Sequence, residues 1–207
     1  MQLRISATKT NLIKTKKMLS LTREGHQLLD EKRKILMNEL AGVMESLEGL
    51  RKETDDRLAQ AYAAMEKAVV RNGHGIVRSA GFAVRTRRDV DIVPKRMIGV
   101  TIPALETRVT DAPPYFGTFG VDGSLEEARV LFCRAMETML ATVEKRAVMV
   151  RIAREVQKTV RKVNALEKVH IPEYQQTVAA IADRLEEDAR ESFALLKIVK
   201  EKLALKH

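Results

Sequence analysis

Within residues 11–71, apolar residues recur in an alternation of three and four from Leu29 to Leu50, and more weakly on to Ala68. No proline interrupts this stretch, and residues that favour helix dominate it. An alternation sustained over three heptads keeps apolar side chains on one face of a helix and is typical of a coiled coil. We therefore predict a long helix over residues 1–71, with a seam formed by Leu29, Leu36, Leu40, Val43, Leu47 and Leu50.

Glycines interrupt this pattern, and each costs a helix about 1 kcal/mol relative to alanine. Gly42 and Gly49 lie one heptad apart on one stripe of the predicted helix. We interpret both as glycines tolerated on the surface. The alternative is a place where another chain approaches the helix closely.

A second helical pattern occupies residues 124–207 and opens with Ser124-Leu-Glu-Glu127, a capping box. The Ile171-Pro172 pair interrupts it, because proline lacks an N–H donor and disfavours helix in the residue before it. We predict a helix kinked near Pro172. Its seam is predicted to include Val143, Val150, Ala153, Val156, Val160 and Val163.

The middle of the chain differs from both helical segments because it holds four of the five prolines and most of the glycines. β-branched residues and a bounding proline predict short strands at 82–93 and 97–102, followed by a loop at 111–123. The chain thus divides into three predicted segments: an N-terminal helix (1–71), a middle insert (72–123) and a C-terminal helix (124–207).

The length of the predicted helices limits how these segments can pack. A helix of about 60 residues is about 90 Å long, whereas a globule of this chain length has a diameter of only about 43 Å. We therefore predict an all-α dominated fold, a long antiparallel coiled-coil hairpin whose small middle insert contains a short β-hairpin. Heptad spacing gives such a pair a left-handed supercoil. Both termini would lie at one end of the pair and the insert towards the other.

The composition agrees with long charged helices and excludes several classes of protein. Of the 207 residues, 31% are charged and only 4% are aromatic, which is unusual for a compact enzyme. Cys133 is the one cysteine, so the chain has no internal disulfide. No uncharged stretch approaches the roughly 20 residues of a membrane span, and the first residues lack an apolar signal core. We expect a soluble, cytoplasmic protein.

Candidate catalytic and metal-ligating residues are sparse. The four histidines lie at no recognised metal-ligand spacing. The sequence contains neither a G-x-x-x-x-G-K-[ST] phosphate loop nor a G-x-S-x-G elbow. We interpret Cys133 as a buried or inert thiol and predict no catalytic residue, no cofactor and no metal site.

Lysines cluster near both ends of the chain, whose formal net charge is +9. In an antiparallel hairpin the two clusters meet at one tip, where they would favour anionic surroundings. Lysines near a helix C-terminus also stabilise the helix dipole, which gives half of the cluster a purely structural interpretation. The residues are Lys9, Lys14, Lys16, Lys17, Lys197, Lys200, Lys202 and Lys206.

Stretches of sequence in both helical halves and in the insert resemble one known family. Besides Ile98–Pro103, the residues that carry the resemblance are Gly25, Leu28, Leu29, Lys32, Arg33, Arg161, Val163, Asn164, Ala165, Leu166, Glu167, Ile171 and Pro172. On these residues the chain is similar to the D subunit of the V-type (archaeal and bacterial A/V-type) rotary ATPases, which is the rotor component of the central stalk. The chain departs from that family at Asp30-Glu31, where basic residues are common, and in its early end at His207.

The resemblance implies a long coiled coil inserted into the ring of catalytic (A) and non-catalytic (B) nucleotide-binding subunits. It also implies a complex with the small F subunit, and docking on the C subunit, called d in eukaryotes, over the membrane rotor ring. The chain would be peripheral to the membrane, and it would transmit torque between ATP hydrolysis or synthesis and H⁺ or Na⁺ translocation without catalysing either. Candidate partner contacts are Ile98, Val100, Ile102, Lys9, Lys14 and Lys200.

Two other functions fit the pattern of residues: a free-standing coiled-coil scaffold or adaptor, and a basic nucleic-acid-binding helical hairpin. The interleaved aromatics of a single-strand binder are missing, and the Val163–Glu167 block before Ile-Pro favours the rotor over a scaffold. We interpret Asn164, inside that block, as a polar residue that fixes the helix register. The alternative is a contact with the surrounding ring.

Overall fold

The computed structural model describes residues 6–111, 113, 115 and 121–204. It confirms the all-α dominated fold, a long helix hairpin with a small antiparallel sheet in the middle. Parts of the expected loop at 111–123, Lys206 and His207 lie outside the described residues. The elements are α1 (Lys9–Ala83), β1 (Arg87–Met97), β2 (Val100–Thr110), α2 (Ser124–Ala165), a π-helical turn (Leu166–His170) and α3 (Ile171–Ala204).

The chain forms two compact units, and each combines part of α1 with part of the C-terminal helices. Unit 1 consists of residues 1–35 and 157–207, and unit 2 of residues 36–156. The division therefore runs across the helices. Long helices depend on such packing, because an amphipathic face contributes more stability than helix propensity does.

Unit 2 is built on an antiparallel helix pair. Leu36 of α1 and Ile152 of α2 are both almost fully buried in one apolar cluster. Further along the pair, the hydroxyl oxygens of Thr54 and Thr142 lie 2.9 Å apart. Since rising residue numbers on α1 meet falling numbers on α2, the two helices run in opposite directions. The Thr54–Thr142 contact also places a hydrogen bond between the helices inside the seam.

Threonines fill several buried positions that the sequence pattern did not count as apolar. The hydroxyl groups of Thr15, Thr54 and Thr177 each donate to the carbonyl oxygen four residues earlier, at 2.7–2.8 Å. A hydroxyl satisfied by its own helix leaves the threonine methyl group free to pack. Threonine therefore acts here as a half-apolar seam residue, together with Thr138 and Thr159.

Part of the seam of α2 lies away from its predicted positions, although the predicted Val163 is almost fully buried. Val143 and Val150, which the sequence placed in the seam, are 53% and 36% exposed. The buried positions are instead Ala135, Thr138, Val148 and Ile152. A seam assigned from apolar residues alone falls on a neighbouring stripe of the helix, because it leaves out Thr138 and Thr142.

A π-helical turn explains how the helix passes Pro172. The Ile171 N–H donates to the carbonyl of Leu166, five residues back, where an α-helix would bond four residues back. Proline cannot donate, and its ring clashes with the carbonyl of residue i−4, here Lys168. Widening the preceding turn accommodates that ring, so α3 continues through Pro172.

The first helix continues past the predicted end at residue 71, with one break at a glycine. Gly73 has φ 76° and ψ 154°, outside the helical region, and helix resumes after it to Ala83. Only glycine adopts that conformation readily. The strand predicted at 82–93 therefore begins later, at Arg87.

The strands β1 and β2 form a hairpin that is closed by a two-residue turn, with Met97 opposite Val100. The second strand runs to Thr110, beyond the predicted end at residue 102, because it pairs with β1 along its whole length. Ile98 and Gly99 in the turn have φ values of 51° and 74°, as a type I′ turn requires at both central positions. Glycine suits such a position, whereas a β-branched residue there is strained.

The hairpin packs against the helix pair of unit 2. Val100 is buried in the same cluster as Leu36 and Ile152, with Met97 and Ile102 at its border. An isolated two-stranded hairpin is marginally stable in water, so this contact with the helices is what supports it. The hairpin of the insert thus lies against the helix pair of unit 2.

Replacing Ile98 should test the strain in the turn. Ile98→Asn is expected to raise the free energy of unfolding by about 1 kcal/mol, since asparagine tolerates the left-handed region. The measurement is chemical denaturation followed by circular dichroism. Gly99→Ala, the matched control at the neighbouring positive φ, should lower stability. A loss of stability in Ile98→Asn equal to that of the control would contradict the assignment of strain.

Candidate functional site

The described residues offer exposed surfaces and one apolar pocket as candidate functional features. No group of three or more His, Cys, Asp or Glu within them could hold a metal ion. None of the helices in the described ranges is both long enough and apolar enough to cross a bilayer. The candidate functional features are therefore exposed apolar side chains, exposed lysines and one apolar pocket.

Rows of exposed apolar side chains follow the helices at heptad spacing. In unit 1, Leu21 and Leu28 of α1 are 51% and 67% exposed. In unit 2, Met136 and Val143 begin a row on α2 that continues at Val150. Isolated apolar residues are common on surfaces, but contiguous exposed rows indicate interaction sites. Leu28 belongs to the family motif, so the motif places an apolar side chain outward.

The glycines on α1 face open space. A Cβ atom added at Gly42 or Gly49 would meet nothing within 4 Å, and the same holds for Gly25 of the family motif. No side chain in the described part of the chain therefore explains the choice of glycine at these positions. The surface is sterically open to close approach from outside.

The insert holds only part of the predicted contact set on its surface. Val100 is buried and Ile102 packs against the same cluster, so both serve the interior of unit 2. Ile98 is partly exposed in the strained turn. Ile92 is 70% exposed and lies opposite Leu105, which makes an apolar pair on the other face of the hairpin. Sequence alternation alone could not tell which face the helices would cover.

The described lysines that are predicted to form a basic tip are exposed, both in the N-terminal and in the C-terminal part of the chain. Lys9, Lys14 and Lys200 are all exposed. The helices that carry them belong to the same compact unit. Lys16, Lys17, Lys197 and Lys202 are exposed as well.

The first family motif contains a local cluster of charges. Asp30 accepts from Arg33 at 2.5 Å and from Lys34 at 3.1 Å. The hydrogen bond from Lys34, assisted by the charge of Arg33, lowers the pKa of Asp30 below its usual range. The carboxylate of Asp30, where the family commonly has a basic residue, is thus neutralised by Arg33 and Lys34 on the next turn. One turn earlier, Nε2 of His26 is buried with no hydrogen-bond partner among the described residues.

The second family motif has one buried position. Val163 is almost fully buried, whereas Arg161, Asn164 and Glu167 are exposed. Asn164 is therefore not a buried register residue, and the polar contact inside the seam is Thr54–Thr142 instead. The remaining motif residues are half-buried: Ala165, Leu166, Ile171 and Pro172, together with Leu29 and Lys32 of the first motif.

A polar network closes the end of unit 2 where α1 breaks and α2 begins, here called the closed end. The Asn72 side chain donates to the Ala68 carbonyl at 3.0 Å and to the Ser124 hydroxyl at 3.2 Å. It also accepts from the Asp122 N–H at 2.7 Å. Ser124 is thus the first helical residue and bonds Asn72, where the sequence had assigned it to a capping box.

Asp122 adds a charged bond to this network. Its carboxylate accepts from Arg71 at 2.9 Å. That bond, followed by one from the Ser124 hydroxyl, lowers the pKa of Asp122. The two helices are therefore joined at the break by side chains from both.

An apolar pocket of about 490 Å³ lies next to this network, within unit 2. Its walls come from α1 on both sides of the break, from the segment around the start of β1 and from the first turns of α2. This size falls in the range of ligand and partner pockets. The lining residues are Met65, Val77, Ala80, Gly81, Val84, Thr86, Arg88, Leu125, Arg129, Phe132, Cys133 and Met136.

Asp111 joins the edge of the pocket to residues from three separate parts of the chain. Its carboxylate accepts from Tyr115 at 2.6 Å, from Arg129 at 2.8 Å and from Thr86 at 2.9 Å. These hydrogen bonds, with that from Tyr115 the largest, lower the pKa of Asp111 to about 2. Arg129 also pairs with Glu126 at 2.6 Å. No local sequence signal pointed to this cluster, because its members are up to 43 residues apart, from Thr86 to Arg129.

Asp111→Asn should change how stability depends on pH. The folded pKa of about 2 lies below the ordinary value of 3.8, so ionised Asp111 adds stability above pH 3.8, and this is lost as pH falls through 2. Denaturation between pH 2 and 6 should show a less stable variant at pH 6 with a flatter acid slope. Asp56→Asn, which changes an exposed carboxylate, is the control. Equal slopes in wild type and Asp111→Asn would refute the prediction.

Comparison with known proteins identifies the family. The model of the ATP synthase D subunit matches residues 11–201. The D subunit of the A-type ATP synthase of Methanosphaera stadtmanae is 34% identical over 96% of this chain and 94% of its own length. The D subunit of the V-type ATP synthase of Thermotoga neapolitana is 31% identical over 97% and 98%. The chain therefore belongs to the family of ATP synthase D subunits.

Proposed function

We propose that this chain is the central rotor shaft of a V-type (A/V-type) ATPase or ATP synthase. Family membership over residues 11–201 is the observation that carries the proposal. The antiparallel helices with a buried seam support it, because a shaft must resist torsion. In this role the chain catalyses nothing, and it transmits torque between nucleotide-binding subunits and the subunits that translocate H⁺ or Na⁺.

The proposed partners are those that the family resemblance implies, and we assign each of them to a surface of one unit. Unit 1 would sit in the ring of A and B subunits, where exposed lysines and the Leu21–Leu28 row pass equivalent subunits in turn. Contacts of exposed charges are worth only about 0–1 kcal/mol each, so none would hold the rotor at one angle. Unit 2 would bind the F subunit, and it would dock on the C (or d) subunit over the membrane rotor ring. The chain would then be peripheral to the membrane.

The hairpin is the proposed contact for the F subunit. Ile92 and Leu105 form an apolar pair on the face turned away from the helices. The turn holds Ile98 at a strained φ, and strain of this kind clusters at functional sites. Val100 and Ile102 pack the hairpin against the helices. They would therefore contribute to the contact with the F subunit only indirectly, by holding the hairpin in place.

Rotation of a bead would test the proposal directly. Lys95→Cys, made in a Cys133→Ser background, puts one exposed thiol on the hairpin of an assembled complex immobilised through its ring. On addition of ATP, a bead on this thiol should rotate in one direction. The same bead on one of the ring subunits should stay still. ATP hydrolysis at the normal rate with a stationary hairpin bead would refute the rotor assignment.

The contact with the F subunit has its own test. Ile92→Ser should weaken the affinity for this partner about tenfold, since a largely exposed side chain becomes buried when a partner covers it. The measurement is a calorimetric titration with the purified partner. Val70→Ser, which truncates another exposed aliphatic side chain of unit 2, is the matched control. Unchanged affinity of Ile92→Ser, or an equal loss in the control, would move the contact elsewhere.

A further inference from the structure

The break in α1 joins an asparagine to a glycine, Asn72 and Gly73. Asparagine loses its side-chain amide most readily when glycine follows, because a residue without a Cβ atom leaves its backbone nitrogen open to react. The other three asparagines of the sequence, Asn11, Asn38 and Asn164, are each followed by a larger residue. Asn72 is therefore the asparagine of this chain with the highest intrinsic tendency to deamidate.

The reaction at this dipeptide needs only water. The backbone nitrogen of Gly73 bonds to the side-chain carbonyl carbon of Asn72, and the bond from that carbon to the amide nitrogen breaks. The amide nitrogen leaves as ammonia and takes the proton of the Gly73 N–H with it. Water then opens the resulting cyclic imide at one of its two carbonyls. The product is an aspartate, or an isoaspartate in which the main chain runs through the former side chain.

In the folded chain both polar atoms of the Asn72 amide are bonded. The nitrogen donates to the Ala68 carbonyl at 3.0 Å and to the Ser124 hydroxyl at 3.2 Å. The oxygen accepts from the Asp122 N–H at 2.7 Å. Asp122 and Ser124 lie at the start of α2, so the amide is tied across the helix pair. It can turn towards the nitrogen of Gly73 only when these bonds break.

We propose that Asn72 is a deamidation site that the closed end suppresses in the folded chain, and that it reacts from a locally opened state in which its bonds to Ser124 and Asp122 are broken. Local openings in folded proteins cost anything from almost nothing to the full free energy of unfolding. The rate of deamidation at Asn72 therefore reports how often this end of unit 2 opens. The proposal concerns the chain itself and does not depend on its role in a rotor.

The product cannot rebuild the network. A carboxylate at position 72 has no N–H to donate to the carbonyl of Ala68. The Ser124 hydroxyl already donates its single hydrogen to Asp122, so it cannot serve a second carboxylate. Position 72 is also the last one before the break, and the end of a helical segment disfavours negative charge. Deamidation thus turns a reversible opening into a lasting one.

Deamidation at two asparagines of the same sample tests the proposal. The full-length chain is incubated folded, or unfolded in guanidinium chloride, at mildly alkaline pH and is then digested with trypsin. Peptide 72–78 reports on Asn72, and peptide 163–168 reports on Asn164, which is exposed and followed by alanine. Mass spectrometry after chromatography measures the amide, aspartate and isoaspartate forms of each peptide.

We expect Asn72 to react faster than Asn164 in the unfolded chain. In the folded chain the reaction of Asn72 should be at least about tenfold slower than in the unfolded chain, because it has to wait for an opening. Both isoaspartate and aspartate should appear at position 72, since water opens the imide at either carbonyl.

Two substitutions separate local opening from general loss of stability. Ser124→Ala removes one partner of the Asn72 amide and should speed deamidation of the folded chain about fivefold, since one hydrogen bond no longer opposes the opening. Thr54→Ala is the matched control. It removes the hydroxyl contact with Thr142 inside the seam of the same unit, so it weakens unit 2 without touching Asn72. Its rate at Asn72 should stay near that of the wild type.

The effect of the product is tested by making it directly. Asn72→Asp should lower the midpoint of thermal unfolding, because it removes both donated hydrogen bonds at once. Asn164→Asp makes the same change on an exposed residue and should leave the midpoint close to that of the wild type.

Several results would overturn the proposal. Equal rates at Asn72 in the folded and the unfolded chain would show that the network suppresses nothing. Equal acceleration by Ser124→Ala and Thr54→Ala would assign the reaction to global unfolding. A rate at Asn72 no higher than that at Asn164 in the unfolded chain would remove the labile site. Wild-type stability of Asn72→Asp would show that the product rebuilds the closed end. None of these results bears on the rotation of the hairpin bead.

Discussion

Everything in unit 2 depends on one narrow line of buried side chains between two antiparallel helices. Long helices of this composition gain little from aromatic packing, because only 4% of the residues are aromatic. Their stability must come from the amphipathic faces that they bury against each other. The hairpin in turn is too small to fold alone and relies on the same cluster through Val100. Seam, helices and hairpin are therefore one cooperative structure.

The helical hairpin could be predicted from the sequence because heptad periodicity is a local signal. Leu36, Val43 and Val163 were placed in the seam and are buried. The position of the seam on α2 could not be predicted from apolar residues alone, since Thr138 and its neighbours bury a methyl group while satisfying the hydroxyl. Valine at 143 and 150 looked like seam and is surface.

The closed end could not be predicted for a different reason. Its bonds join residues far apart along the chain, such as Asn72 with Ser124 and Thr86 with Asp111. No spacing rule connects them, because they meet only after the helices have paired. The partner candidates in the insert were likewise ambiguous, since alternation predicts two faces without saying which one the helices cover. Val100 faces inward, and Ile92 is exposed.

The contact of Val100 with Leu36 and Ile152 has a mechanical consequence. A load applied to the outer face of the hairpin passes through this side-chain contact straight into the helix seam. It does not have to travel through the chain connections at the base of the strands. The packing of Val100 against the helices is therefore the contact through which the hairpin transmits force. The stiffness of this packing limits how much force a protein bound to the hairpin can deliver to the helices.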